Sequence, residues 1–182
     1  MTVFNVPTRE EVSSNNQEIF DNLKKAVGFV PNLYATIAYS DTALSNYLQF
    51  QNAKTSLSKK EKEVVNLIVS QVNGCEYCQS AHSAIAKMNG FNDEQILELR
   101  NGYFSSDEKF DALVKVAKEI TLNKGVVDNE TLENFFNAGY TKGTLVDVIV
   151  TVGDKVIMNY LHNLTQIEID FPVAQELTEA TV

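Results

Sequence analysis

The sequence predicts an all-α fold, and three observations carry that prediction. Apolar residues recur at three- and four-residue spacing along most of the chain. Capping residues and asparagine–glycine pairs punctuate those runs where helices should start and stop. No segment shows period-two alternation joined by hairpin turns.

The first helix is expected from Ser13 to Val27, with Ile19, Phe20, Leu23 and Val27 on one face and Gly28 placed for a left-handed cap. Phe29 to Asn32 then reads as a rigid apolar corner at Pro31. Asp41 caps a helix carrying Leu44, Tyr47, Leu48 and Gln51. Ser58 with Glu61 forms the capping-box pattern and opens the next helix. That helix is apolar on most sides through Val64, Val65, Leu67, Ile68, Val69 and Val72, so it should be central and buried. Its β-branched content would suit a strand, but its length, its cap and its charged opening favour helix. Lys59 to Lys62 reads as a solvated first turn.

Asn73-Gly74 ends that helix, and another runs from Glu76 to Met88, stopped by Asn89-Gly90. Asn92 or Asp93 caps a short helix over Ile96, Leu97 and Leu99, closed by Asn101-Gly102. Ser106 starts one with Phe110, Leu113, Val114, Ala117 and Ile120 on a single face. Asp128 opens one over Leu132, Phe135 and Phe136, whose rings, like that of Phe20, belong to the core. Thr141 or Thr144 begins the last long helix, with Leu145, Val148, Ile149, Val152, Val156, Tyr160 and Leu164 on one stripe. Asp170-Phe171-Pro172 terminates the last ordered segment, and the tail from Gln175 to Val182 reads as disordered or packed on a neighbour.

A weak internal echo accompanies these elements. Val65-Asn-Leu-Ile-Val-Ser70 resembles Val146-Asp-Val-Ile-Val-Thr151, 81 positions later. The same offset sets Cys78 on Asn159 and His82 on Asn163, as a degenerate duplication of a helical pair would. Asn159 and Asn163 share a face one turn apart, either as plain structural polarity or as hydrogen-bonding groups near the thiols. His162 reads as an ordinary helix-surface or interface histidine.

Composition narrows the function classes. The chain has 182 residues, which suit one domain spanning 1–182, and 44% hydrophobic residues, enough for a core without disulfides. Fifteen basic against 24 acidic side chains leave a net charge of −9, unsuited to binding a phosphate backbone, so no nucleic-acid partner is expected. No apolar run approaches the roughly 18 residues of a membrane span. The N-terminus lacks the basic start and apolar stretch of a secretory signal, and there are only two cysteines. The expectation is a cytoplasmic protein with no membrane association. Several helices are apolar on more than one face, which predicts a homo-oligomer.

The dense chemical signal is Gly74-Cys75-Glu76-Tyr77-Cys78-Gln79-Ser80-Ala81-His82. The Cys-x-x-Cys pair falls at a predicted helix N-terminus, where the dipole and free amides favour a thiolate. His82 lies one turn beyond Cys78, placed to accept its proton directly or through a water. Antiparallel packing across Asn73-Gly74 would return Glu63 to the cysteine turn, where its carboxylate can orient the imidazole. This set suffices for peroxide reduction without a cofactor. One thiolate attacks the O–O bond and becomes a sulfenic acid, and a second thiol condenses with it to a disulfide. A base manages the protons, and an outside dithiol reductant restores the pair.

Other readings use the same residues. A structural disulfide would close too short a loop to remove much unfolded-state entropy. Zinc would need four ligands; Cys75, Cys78, His82 and Glu63 offer them, without the usual second Cys or His pair. A c-type haem would need histidine directly after Cys78, where Gln79 stands. Two further classes stay open: a thiol–disulfide oxidoreductase or redox sensor acting on a protein partner, and a non-enzymatic oligomeric binding protein, zinc-loaded or not.

The pattern Glu63-x11-Cys75-Glu-Tyr-Cys78-x3-His82 resembles the signature of the AhpD-like alkylhydroperoxidases of the carboxymuconolactone decarboxylase superfamily. The segment Val30 to Tyr34 is similar to the peroxidase-related members, as is the stretch from Asn159 to Pro172. The resemblance implies an AhpD-like fold of orthogonally packed helices, a catalytic core over about 40–125 and a C-terminal helical part over about 126–172. It implies assembly into trimers or hexamers, and a thiol-dependent peroxidase acting on a small hydroperoxide. By that resemblance Cys78 attacks the peroxide, Cys75 resolves, and His82 with Glu63 relays protons. The decarboxylase branch lacks the cysteine pair. Some members carry histidine where Tyr77 stands, and a phenol is a far weaker base at neutral pH.

Overall fold

Local capping sets most of the helix boundaries. In the computed structural model, which describes residues 4–177, a 3₁₀ turn at Arg9–Glu11 precedes nine helices, and no strand occurs among the described residues. These helices are α1 (Ser14–Val27), α2 (Asn32–Ile37), α3 (Ala43–Gln51), α4 (Lys59–Val72), α5 (Glu76–Met88), α6 (Asp93–Asn101), α7 (Glu108–Leu122), α8 (Asn129–Asn137) and α9 (Lys142–Thr165). The all-α expectation therefore holds. Ser58 makes the expected capping box: its Oγ accepts from Glu61 N at 3.2 Å, and the Glu61 carboxylate accepts from Ser58 N at 2.8 Å. Glu61 is thereby buried, so the first turn of α4 is less solvated than its four charges suggest. Asn92 and Asp128 cap α6 and α8, and Thr141 Oγ1 accepts from Thr144 N at the start of α9.

The chain forms two compact units, one of residues up to Lys54 with Leu161–Asp170, the other of Thr55–Tyr160 with the segment from Phe171 onward. In the second unit α4 is the central element, packed by α5, α6 and α7. Val64, Val65, Leu67, Ile68 and Val69 are all but fully buried, each contributing about 1.5–3 kcal/mol of apolar burial. Leu99, Leu113, Val114, Val116, Phe135 and Val148 complete the same core.

In the first unit the corner at Pro31 leads into α2, an element the sequence reading missed. Six residues are too few to display a helical period. The first turn of α2 is capped from far along the chain: Asn32 N donates to Asp170 Oδ2 at 2.8 Å and Asn32 Nδ2 to Glu168 O at 3.1 Å. Asp170 is thus a cap as well as the end of an ordered segment. His162 is buried rather than on a helix surface, and its Nε2 lies 3.2 Å from Ile167 O.

Two helix starts fall one residue later than expected. Thr42 rather than Asp41 precedes α3, with Ser40 Oγ accepting from Ala43 N. Asp107 rather than Ser106 caps α7, because its carboxylate takes the amides of both Lys109 and Phe110. The duplicated helical pair is not reproduced. The second copy is a single continuous α9, in which Asp154-Lys155 occupies the place of the turn Asn73-Gly74. Lys155 stands where Gly74 makes its turn, and the helix runs on. Its stripe also divides: Val148 and Val152 face the core, whereas Ile149, Tyr160 and Leu164 are exposed, along with Val146, Val150 and Ile157.

Candidate active site

A tight reversal builds the site. Gly74 adopts φ +63°, which an L side chain would resist, and so the chain turns from α4 into α5 within three residues. Cys75 N bonds back to Ser70 O at 3.0 Å, closing the C-terminus of α4. Cys75 becomes the N-cap of α5, and its Sγ accepts from Cys78 N at 3.2 Å. The two cysteines are free, and both are buried, at 0% and 3% exposure.

Glu63 and His82 meet across the antiparallel α4 and α5. His82 Nδ1 lies 2.9 Å from Glu63 Oε2, and Asn66 Nδ2 donates to Glu63 Oε1 at 3.0 Å. The four residues expected from sequence therefore form two contacting pairs, Cys75 with Cys78 and Glu63 with His82.

A third element, α9, joins those pairs. Lys155 Nζ lies 3.2 Å from His82 Nε2 and 3.2 Å from Asp154 Oδ2, with Lys155 only 3% exposed. An ammonium can only donate, so Nε2 faces it as an acceptor, and Nδ1 carries the proton given to Glu63. The contacts thus select one neutral tautomer of His82. One turn along α9, the fully buried Asn159 accepts from Asn73 Nδ2 at 2.9 Å and donates to Ser70 Oγ at 3.4 Å. Its amide also hydrogen-bonds toward both sulfurs. Asn163, by contrast, is exposed.

These surroundings split the two thiols. The hydrogen bond from Cys75 holds the Cys78 thiol below its ordinary value, helped by the charge of Lys155 and the amide of Asn159; burial and the Asp154 charge oppose this. The same bond, with burial and the charge on Cys78, pushes the Cys75 thiol up. Of the two, Cys78 is therefore the thiol that ionises first and Cys75 the one that keeps its proton. Alkylation of Cys78 by iodoacetamide is accordingly expected to persist below the pH range of an ordinary thiol, with Cys75 unreactive throughout. Peptide mapping after alkylation at stepped pH values checks this.

Sequence reasoning missed Lys155 and Asp154. The available signal was a charged pair interrupting the otherwise uncharged stretch between Val148 and Met158. It also missed the strap over α5. Ala174 N donates to Ser80 Oγ at 3.0 Å, and Arg100 binds Gln175 O at 2.6 Å, Gln79 Oε1 at 3.0 Å and Gln71 Oε1 at 2.9 Å. Tyr77 packs its ring edge against Phe171, with centroids 5.6 Å apart. Gln175 is therefore held in place, while residues 178–182 of the tail lie outside the described residues. Among the described residues no three His, Cys, Asp or Glu side chains gather as a metal-binding set. Of the four candidate zinc ligands, His82 has its two ring nitrogens engaged by Glu63 and Lys155.

Among the described residues no helix is long and apolar enough to cross a membrane. Residues 40–119 match the model of the carboxymuconolactone decarboxylase family. The uncharacterized protein YdfG of Bacillus subtilis (strain 168) is 23% identical over 123 residues, covering 65% of this chain and 82% of its own. An uncharacterized peroxidase-related protein with an alkylhydroperoxidase AhpD core, from Ralstonia eutropha JMP134, has a similar structure. It superposes with a TM-score of 0.82 at 18% identity, over 92% of this chain and 91% of its own. A peroxidase-related protein from Silicibacter sp. TM1040 gives 0.80 at 20% identity, over 92% and 91%. The debrominase Bmp8, in complex with 2,3,4-tribromopyrrole, gives 0.76 at 16% identity, over 93% and 92%. The fold is thus AhpD-like.

Proposed function

We propose that the chain is a member of the carboxymuconolactone decarboxylase superfamily, which the match over residues 40–119 supports, and that it is a thiol-dependent peroxidase reducing small hydroperoxides. The observation that carries this reading is the divided cysteine pair. Cys78 is held toward thiolate, and Cys75, three residues away, keeps the proton.

In the proposed cycle, Cys78 Sγ attacks the terminal oxygen of the hydroperoxide. The O–O bond breaks, leaving a sulfenic acid on Cys78 and an alkoxide that takes a proton to become an alcohol. Cys75 then attacks the Cys78 sulfur, forming a disulfide, and its proton leaves with hydroxide as water. Glu63 holds His82 in one tautomer at the edge of this chemistry. An external dithiol reduces the disulfide and returns two protons. The cycle draws on no bound cofactor.

Burial supports a small oxidant over a protein disulfide as substrate, since a folded partner cannot reach sulfurs at 0% and 3% exposure. The test is steady-state consumption of tert-butyl hydroperoxide with dithiothreitol as reductant, beside reduction of insulin disulfides under the same conditions. Catalytic hydroperoxide loss with insulin unchanged is expected. Faster turnover of insulin, or no hydroperoxide loss, would overturn the reading.

A further inference from the structure

The peroxidase cycle leaves one proton without a donor, the one taken by the alkoxide as the O–O bond breaks. We propose that Lys155 supplies it, with His82 Nε2 and Asp154 Oδ2 holding its ammonium on the side of α9 that faces the thiols. This inference rests on the peroxidase reading for its substrate.

The placement follows from two helices in register. Cys78 and His82 are one turn apart on α5, and Asn159 and Lys155 are one turn apart on α9. Asn159 reaches the sulfurs and Lys155 reaches the imidazole, so the two pairs face each other. The groups that face the ammonium are His82 and Cys78 on α5, Glu63 on α4 behind His82, and Asp154 on α9 itself. A lysine this buried needs partners for its charge, and here it has an acceptor nitrogen and a carboxylate. The Lys155 charge also favours ionised Cys78.

The His82 tautomer rules out the imidazole as the donor. Its one N–H is at Nδ1, on the Glu63 side, and its Nε2 accepts from the ammonium. The protons then balance. The thiolate and ROOH give the sulfenic acid and RO⁻; Lys155 transfers a proton to RO⁻, releasing ROH and leaving a neutral amine. Cys75 and the sulfenic acid give the disulfide and water. The external dithiol gives up two electrons and two protons, one restoring the Cys75 thiol and the other the Lys155 ammonium, while Cys78 returns as thiolate.

The experiment compares wild type with Lys155→Met and Lys155→Arg in single-turnover oxidation by two oxidants, tert-butyl hydroperoxide and peracetic acid. The first expels a basic alkoxide that needs a proton; the second expels a carboxylate that does not. Each rate is divided by the variant's own iodoacetamide alkylation rate, which removes any change in thiolate population. Lys155→Met is expected to slow the hydroperoxide reaction about 100-fold, within the usual span of general acid catalysis, and to leave the peracid reaction within a few-fold. Lys155→Arg keeps the positive charge but cannot release a proton. It should therefore alkylate as wild type does and still be slow with the hydroperoxide alone. Equal slowing of both oxidants, or of neither, in variants beside an active wild type overturns the donor role. A wild type inert to both oxidants overturns the peroxidase reading, and the donor role with it.

Discussion

Cys78→Ser protein is expected to consume no tert-butyl hydroperoxide, a loss of about 10³-fold or more, as removal of a nucleophile gives. Cys75→Ser should behave differently in a way that fixes the order of events. Without added thiol, wild type should consume one equivalent of hydroperoxide and lose two hydrogens as the disulfide forms. Cys75→Ser should also consume one equivalent, but gain one oxygen, because nothing condenses with the sulfenic acid on Cys78. Intact mass and residual hydroperoxide, measured on reduced and desalted protein, give both quantities. An oxygen gained by Cys78→Ser and not by Cys75→Ser would reverse the two roles.

The second large effect concerns stability. Phe135 on α8 is fully buried, stacked on Tyr140 at 4.5 Å and 11°, with Phe136 edge-on at 5.6 Å. Phe135→Ala removes the ring and leaves a cavity that a stacked tyrosine and a short helix cannot readily fill. A loss of about 3–5 kcal/mol is expected, a large share of the roughly 5–15 kcal/mol that holds a typical domain folded. For a chain of this length that lowers Tm by roughly 10 °C. Urea and thermal unfolding of the variant measure it; a change below about 1 kcal/mol would mean that the core closes over the gap.

The parts of this molecule that are legible in sequence are those decided within one or two helical turns. Ser58 and Glu61 cap each other, Gly74 makes the turn, and Cys75, Cys78 and His82 sit where helical spacing places them. Glu63 is legible as well, because a three-residue connection leaves α4 and α5 little choice but to run antiparallel. What escapes is decided at a distance. Lys155 meets His82 from 73 residues away, and Asp170 caps Asn32 from 138 away. No local pattern announces either contact. The echo between α4 and α9 misled because it compared apolar faces. The two positions where the copies differ most, Asp154 and Lys155, carry the charges that reach the thiols.

The unbroken course of α9 makes the chemistry a matter of phase. Lys155 and Asn159 are set by counting residues from the Thr141 cap along a rod with no joint. Each residue advances the helix by about 100°, so one residue inserted or deleted between Lys142 and Asp154 would swing both side chains away from α5. A deletion ahead of Val148 would carry exposed Ile149 into its buried position, and an insertion there would carry Val148 outward. Substitution can therefore retune this stretch, whereas a change in its length should be tolerated only near whole numbers of turns.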